Sequence, residues 1–141
     1  MIVEEFVEQI LTDGGFLSPF TDFNGDAQPA PILQLLTFDE ESTYTQGKRI
    51  LFIREGGGGG GNRYVQRSGV SIVFAGLQNK SDAVIVKDYA DRIYTYLLET
   101  REKCAIIEID PIAGASPVMY TDLGRPVVEI QCTLLIDRGI Q

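Results

Sequence analysis

Histidine is missing from this chain, and with it go the commonest general base, the commonest transition-metal ligand and the usual pH switch. Much of enzyme chemistry is disfavoured at once. Cysteine occurs only as Cys104 and Cys132, far apart in strand-like apolar runs. With no Cys-x-x-Cys pair, the pattern speaks against zinc and for two buried thiols. Apolar runs are short, none approaching the ~20 residues that a membrane span needs. Basic charge is also in deficit: 12 Lys and Arg stand against 20 Asp and Glu, a formal net charge of −8. Such a field repels phosphate backbones unless a local basic stripe overcomes it, and no stripe is present. The acidic start MIVEEFVEQ is unlike a secretory signal. A soluble protein made in the cytosol is expected, not an enzyme, with neither cofactor nor metal nor membrane partner.

What is present suits one folded unit. The chain has 141 residues, 44% hydrophobic and 23% charged, which fits a single domain over 1–141. IVEEFVEQIL places Val3, Phe6, Val7 and Ile10 at helical spacing, with Glu4, Glu5 and Glu8 on the other side. Gly14 and Gly15 supply the stop. From Phe16 to Pro31 turn signals dominate, including DFNGD. Ile32 to Phe38 is a short apolar run compatible with either strand or helix.

KRILFIR (Lys48 to Arg54) and GVSIVFAG read as strands with apolar residues on both faces, Val70, Ile72 and Phe74 opposing Val73 and Ala75. NKSDAVIVKDYADRIYTYLLETREK is a long helix capped by Ser81 or Asp82, with Ile85, Tyr89, Ile93, Tyr96 and Leu97 along one stripe. CAIIEID is a strand. VVEIQCTLLID alternates so regularly that it reads as an antiparallel strand with one solvated face. The expectation is an α+β fold: one mainly antiparallel sheet of four to five strands with two helices packed on one face.

Several motifs fail on their surroundings. Gly56, Gly58 and Gly61 spell G-x-G-x-x-G, but a strand follows where a dinucleotide site requires a helix. DFNGD begins like a calcium loop, yet Ala27 and Leu33 fall where the glycine and the bidentate glutamate belong, leaving an Asx-rich turn. Ser68, Ser71, Ser81 and Ser116 have no histidine to activate them, so only a Ser-Lys or carboxylate dyad stays open. Glu108 and Asp110 share one side of their strand, where solvated edge charges are the simpler reading.

The unbroken run Gly56 to Gly61 therefore reads as the tip of a hairpin arm, residues 55–67. Ordering glycine costs backbone entropy of roughly 1–2 kcal/mol per residue, so disorder is expected in an isolated subunit. Lys48, Arg49, Arg54, Arg63 and Arg67 flank the run. Either the loop is a tolerated insertion, or it is an arm that orders against an acidic neighbour, another copy of the same chain included.

The run KRILFIREGGGGGGNRYVQRSGVSIVFAG, the helix DAVIVKDYADRIYTYL and the closing strand VVEIQCTLLID together resemble the tail terminator, or tail completion, proteins of long-tailed bacteriophages, over Lys48 to Asp137. The resemblance implies a subunit of a six-membered ring that caps the tail tube, ends its polymerisation and presents a surface to the head connector, at the head-proximal end of the virion tail after assembly in the host cytoplasm. It implies as partners further copies of the chain, the tail tube protein and the connector, with DNA sliding through an acidic lumen without specific binding. The arm, with Arg54, Gly56, Gly57, Gly58, Gly59, Gly60, Gly61, Asn62, Arg63 and Arg67, would meet the tube or a neighbour. Asp39, Glu40 and Glu41, or Asp88 and Asp91, would supply the acidic counter-patch. Another head–tail joining or minor tail protein is the nearest alternative. A ligand-binding or enzymatic α+β domain with a glycine-rich lid is the alternative from a different class.

Overall fold

The structure, a computed structural model, describes residues 2–57, 65–100, 106–111 and 114–137. The amphipathic start forms α1 (Val3–Asp13), which buries Val3, Phe6, Val7, Ile10 and Leu11. It closes where Gly15 takes φ 81°, a left-handed conformation that side chains disfavour, and Phe16 N–H returns to Leu11 O at 3.0 Å. Glu4 was expected in solvent but is 3% exposed; its partner is described below.

The turn-rich segment contains a small hairpin, β1 (Phe20–Thr21) against β2 (Ala27–Gln28). It closes around Asp22, whose Oδ1 accepts from the N–H groups of Asn24 and Asp26 at 2.9 and 3.0 Å and whose Oδ2 accepts from Gln28 Nε2 at 2.9 Å. This is the Asx-rich turn read from the sequence. Desolvation opposes the Asp22 charge, but these hydrogen bonds and the nearby Arg49 outweigh it and lower its pKa from 3.8.

The main sheet comprises β3 (Ile32–Leu35), β4 (Ile50–Gly57), β5 (Val65–Ala75), β6 (Ile106–Pro111), β7 (Met119–Tyr120) and β8 (Pro126–Asp137). Its order is β3-β4-β5-β8-β6, with β7 paired to β8. Both helices, α1 and α2 (Ala83–Glu99), pack on the face that presents Ile53, Ile72, Phe74, Ile130 and Leu134. The expectation of an α+β fold with a mainly antiparallel sheet holds, and the structure adds one parallel pair. β3 runs parallel to β4, so the sheet is mixed. A parallel pair needs a crossover of about a dozen residues or more, and residues 36–49 provide it. That crossover carries Phe38 onto Phe52, ring centroids 5.6 Å apart, and helps bury Ile50, Phe52 and Ala75 on the helix-free face. The two-sided strands thus acquire a second, smaller core.

Along α2 the buried line is Val86, Tyr89, Ala90, Ile93 and Leu97, rotated slightly from the expected stripe. Ile85 and Tyr96 sit half-buried at its margin. β8 alternates as its sequence predicts, Val128, Ile130, Cys132, Leu134 and Ile136 turning inward. Cys104 lies outside the described residues, as do the side chains of Glu108 and Asp110.

Candidate assembly surface

The glycine run starts inside the sheet. β4 continues through Gly56 to Gly57, and its register against β5 shifts between Glu55 and Gly57, where Gly57 faces Gly69. Val65 to Arg67 are likewise strand, paired with β8. The arm 55–67 therefore has strand at both of its ends, and Gly58, Gly59, Gly60, Gly61, Asn62 and Arg63 lie outside the described residues.

β3 ends level with Ile53, and Leu36 N–H reaches Ile53 O at 3.2 Å. The next outward N–H of β4 belongs to Glu55, and it donates to Glu4 Oε2 at 3.0 Å. A carboxylate from the first turn of α1 thus stands where a further β3 carbonyl would be. A buried carboxylate is tolerated only when hydrogen-bonded, so α1 is tied to the base of the arm. The sequence disguised this, because Glu4 sits among three glutamates of similar spacing.

The arginines divide into two sets. Arg49 was expected near the arm, but it stands at the start of β4, at the opposite end. It is 4% exposed, with Nε and Nη2 donating to Asp82 Oδ2 and Oδ1 at 3.0 and 2.6 Å, and Nη1 donating to Gln28 Oε1 at 2.9 Å. Asp82 also accepts from Leu77 N–H at 2.9 Å and makes no side-chain cap to α2, which corrects its expected capping role. Lys48, beside Arg49, lies over the Tyr44 ring at 4.9 Å. Arg54 and Arg67 remain at the arm, exposed. Arg54 pairs in register with Ser71, four residues from Arg67 on β5, so the strand period puts both on the helix-free face. There Arg54, Gly56, Gly69, Ser71, Glu129 and Gln131 line a shallow depression.

The acidic residues fall into separate groups. In the crossover, Asp39 Oδ1 accepts from Glu41 and Ser42 N–H at 2.9 and 3.2 Å. Glu40 is engaged within the subunit, accepting from Thr121 Oγ1 at 2.6 Å and lying 3.6 Å from Arg125 Nε. On α2, Asp88 pairs with Arg92 at 2.8 Å and Asp91 with Lys87 at 3.7 Å, both pairs partly exposed. Lys87 Nζ also donates to Ala115 O and Ser116 O at 3.1 Å, and Arg92 Nη1 donates to Thr21 O at 2.7 Å. Both cations thus divide their donors between a carboxylate of the same helix and backbone carbonyls of other segments.

Arg125 is the residue that sequence reasoning missed most completely. It is 1% exposed, with Nη1 donating to Lys48 O and Gly76 O at 2.7 and 2.9 Å and Nη2 donating to Thr45 O at 2.8 Å. It bolts the crossover and the end of β5 to the turn before β8. Ser116, left open for a Ser-Lys pair, has its hydroxyl on backbone: Oγ donates to Pro117 O and accepts from Glu129 N–H at 3.0 and 2.9 Å. Lys87 meets the Ser116 carbonyl instead. Among the described residues no group of three acidic or cysteine side chains is placed to hold a metal ion, and no helix is long and apolar enough to cross a membrane.

Fold and surface together define a class: a small two-layer α+β subunit in which Arg54 and Arg67 lie on the face opposite the carboxylates Asp88 and Asp91 of α2. A family model for the phage tail termination protein matches residues 17–138, and the chain belongs to that family. It is a bacteriophage tail protein with a structural and assembly role. The match reaches further toward the N-terminus than the Lys48 to Asp137 on which the resemblance rested, taking in the β1–β2 hairpin and β3. No curated protein and no solved structure matches the chain.

Proposed function

We propose that this protein caps the tail tube as a six-membered ring, ends tube polymerisation and presents the surface that joins the head connector. The observation that carries the reading is the family match across residues 17–138. The net charge of −8 supports it, since an acidic lumen lets DNA slide without holding its phosphates. The arm 55–67 engages the tube or a neighbouring copy, with Arg54, Arg63 and Arg67 as its basic flank. Asp39, Glu41, Asp88 and Asp91 supply the acidic counter-surface, the last two from partly exposed pairs with Arg92 and Lys87, whereas Glu40 is committed to Thr121 and the buried Arg125. The protein acts by contact, without cofactor or catalysis, at the head-proximal end of the virion tail.

Polymerising tail tubes with and without the purified protein checks this directly. Tubes should stop growing and carry a ring at one end in negative-stain images, and native mass spectrometry should find a hexamer. Amide exchange at Gly56 to Gly61 should slow on assembly. A persistent monomer that leaves tube growth unchanged, and that binds a small molecule instead, would overturn the proposal in favour of a ligand-binding domain.

A further inference from the structure

We propose that neighbouring copies meet through opposite faces of the subunit: the helix-free face around Arg54 and Arg67 of one copy receives the outer stripe of α2 of the next. This rests on the ring reading above and specifies its contact.

The arginines supply the first half. Arg49, Arg92 and Arg125 each have a carboxylate partner within the subunit, whereas Arg54 and Arg67 have no ion-pair partner among the described residues. On a chain of net charge −8, exposed unpaired cations are the minority charge. They lie about 13 Å apart along the strand direction, at ~3.3 Å per residue. Between their rows the cross-strand pair Gly57 and Gly69 carries no side chains, and Thr133 follows on β8. Glu129 shares this face and keeps its negative charge while accepting from Gln131 Nε2 at 2.9 Å, so the basic character belongs to the two arginine rows and not to the whole face. The result is a trough floored by glycine and edged by guanidinium groups.

The second half is the solvent side of α2. Val84, Asp88, Asp91, Thr95 and Leu98 follow one another at alternating spacings of four and three, which places them on one line along the helix. That line is about 21 Å long at ~1.5 Å per residue, enough to span both arginine rows. Its ends are apolar and open, Val84 being 57% and Leu98 41% exposed, and carboxylates stand between them. Lys87 and Arg92 pair with Asp91 and Asp88 at 3.7 and 2.8 Å while also donating to backbone carbonyls. Such partly exposed pairs are weak, so both carboxylates can exchange partners. An apolar and acidic ridge thus complements a side-chain-poor, basic trough.

The occupant follows from placement as well as charge. The trough lies on the helix-free face and the ridge on the outer side of the helix layer, so one subunit cannot satisfy itself. Two different surfaces meeting head to tail form a heterologous contact, and such contacts generate rings when the rotation closes.

Charge-swapped variants decide the matter, with light scattering and native mass spectrometry on the full chain and thermal melting as the folding control. R54E/R67E and D88K/D91K should each remain folded and require at least tenfold more protein to assemble, because like charges meet at the contact. Mixed in equal amounts they should reassemble, alternating, since each supplies the face the other has lost. R54Q/R67Q should weaken assembly less than R54E/R67E. If the wild type forms rings and the folded charge-reversed variants do so equally well, the contact lies elsewhere and this inference fails while the ring reading stands. Failure of the mixture to reassemble also overturns the pairing. A wild type that stays monomeric with and without tail tubes overturns both.

Discussion

Arg125 shows how much one residue can organise. A buried guanidinium is costly unless it is compensated, and here three carbonyls from two separate segments meet Nη1 and Nη2, while Nε makes no hydrogen bond and has only the charge of Glu40 at 3.6 Å. Arg125→Ala should therefore lower unfolding stability by about 3–5 kcal/mol, because Glu40 and the carbonyls lose their partner. Urea denaturation measures this, and a change of a few tenths would contradict the clamp. Gly76 is constrained by crowding: a Cβ there would stand 2.4 Å from Asp82 Oδ2 and 2.5 Å from Val86 Cγ2. Gly76→Ala should cost about 1–3 kcal/mol, the usual range for overpacking, and should disturb the Arg49–Asp82 pair at the same time. Neither residue was legible in the sequence, since LGRP and FAG look like ordinary turns. Burial is set by segments distant in sequence, which a local pattern does not encode.

Between elements, the decisive contacts are side chains that complete another element's backbone. Glu4 does so for β4, and Glu4→Ala should strip Glu55 N–H of its acceptor and cost about 0.5–1.5 kcal/mol, the net worth of one such hydrogen bond, because Glu55 is exposed and water can replace the acceptor. Faster amide exchange at Glu55 in the variant would report the loss; unchanged exchange would show that the contact is dispensable. Tyr89 does so for the segment after α1, its hydroxyl donating to Phe16 O at 2.6 Å. Burial raises its pKa to about 12, against a small opposing effect of Arg92. The neutral phenol is thus the favoured folded form. Its contribution is fully present below pH 10.0, where both states keep the proton, and is lost as pH rises through about 12. Melting temperature followed from pH 9 to 12 should fall less steeply for Tyr89→Phe than for the wild type. Elements themselves were largely legible: α1, α2 and β8 each carry a period that only one secondary structure satisfies. β3 was not, because four apolar residues fit a strand or a helical turn equally, and pairing with β4 decides it.

For the molecule as a whole, opposite charges on opposite faces make assembly sensitive to salt. Raising sodium chloride from about 0.05 to about 0.5 M should shift the proposed ring toward monomer, since the screening length falls from about 14 Å to about 4 Å over that range. Light scattering at constant protein concentration follows the shift, and salt-independent assembly would place the contact on apolar surface instead. The sequence by itself determined the α+β class, the two amphipathic helices, the hairpin around the glycines and the want of histidine chemistry, because periodicity and composition are local properties. Only the tertiary structure decided that β3 runs parallel, that Arg49 is spent on Asp82 while Arg54 and Arg67 share a face, and that Glu4 holds the base of the glycine arm. Those outcomes depend on which strand lies beside which, and strand order joins residues that the chain keeps far apart.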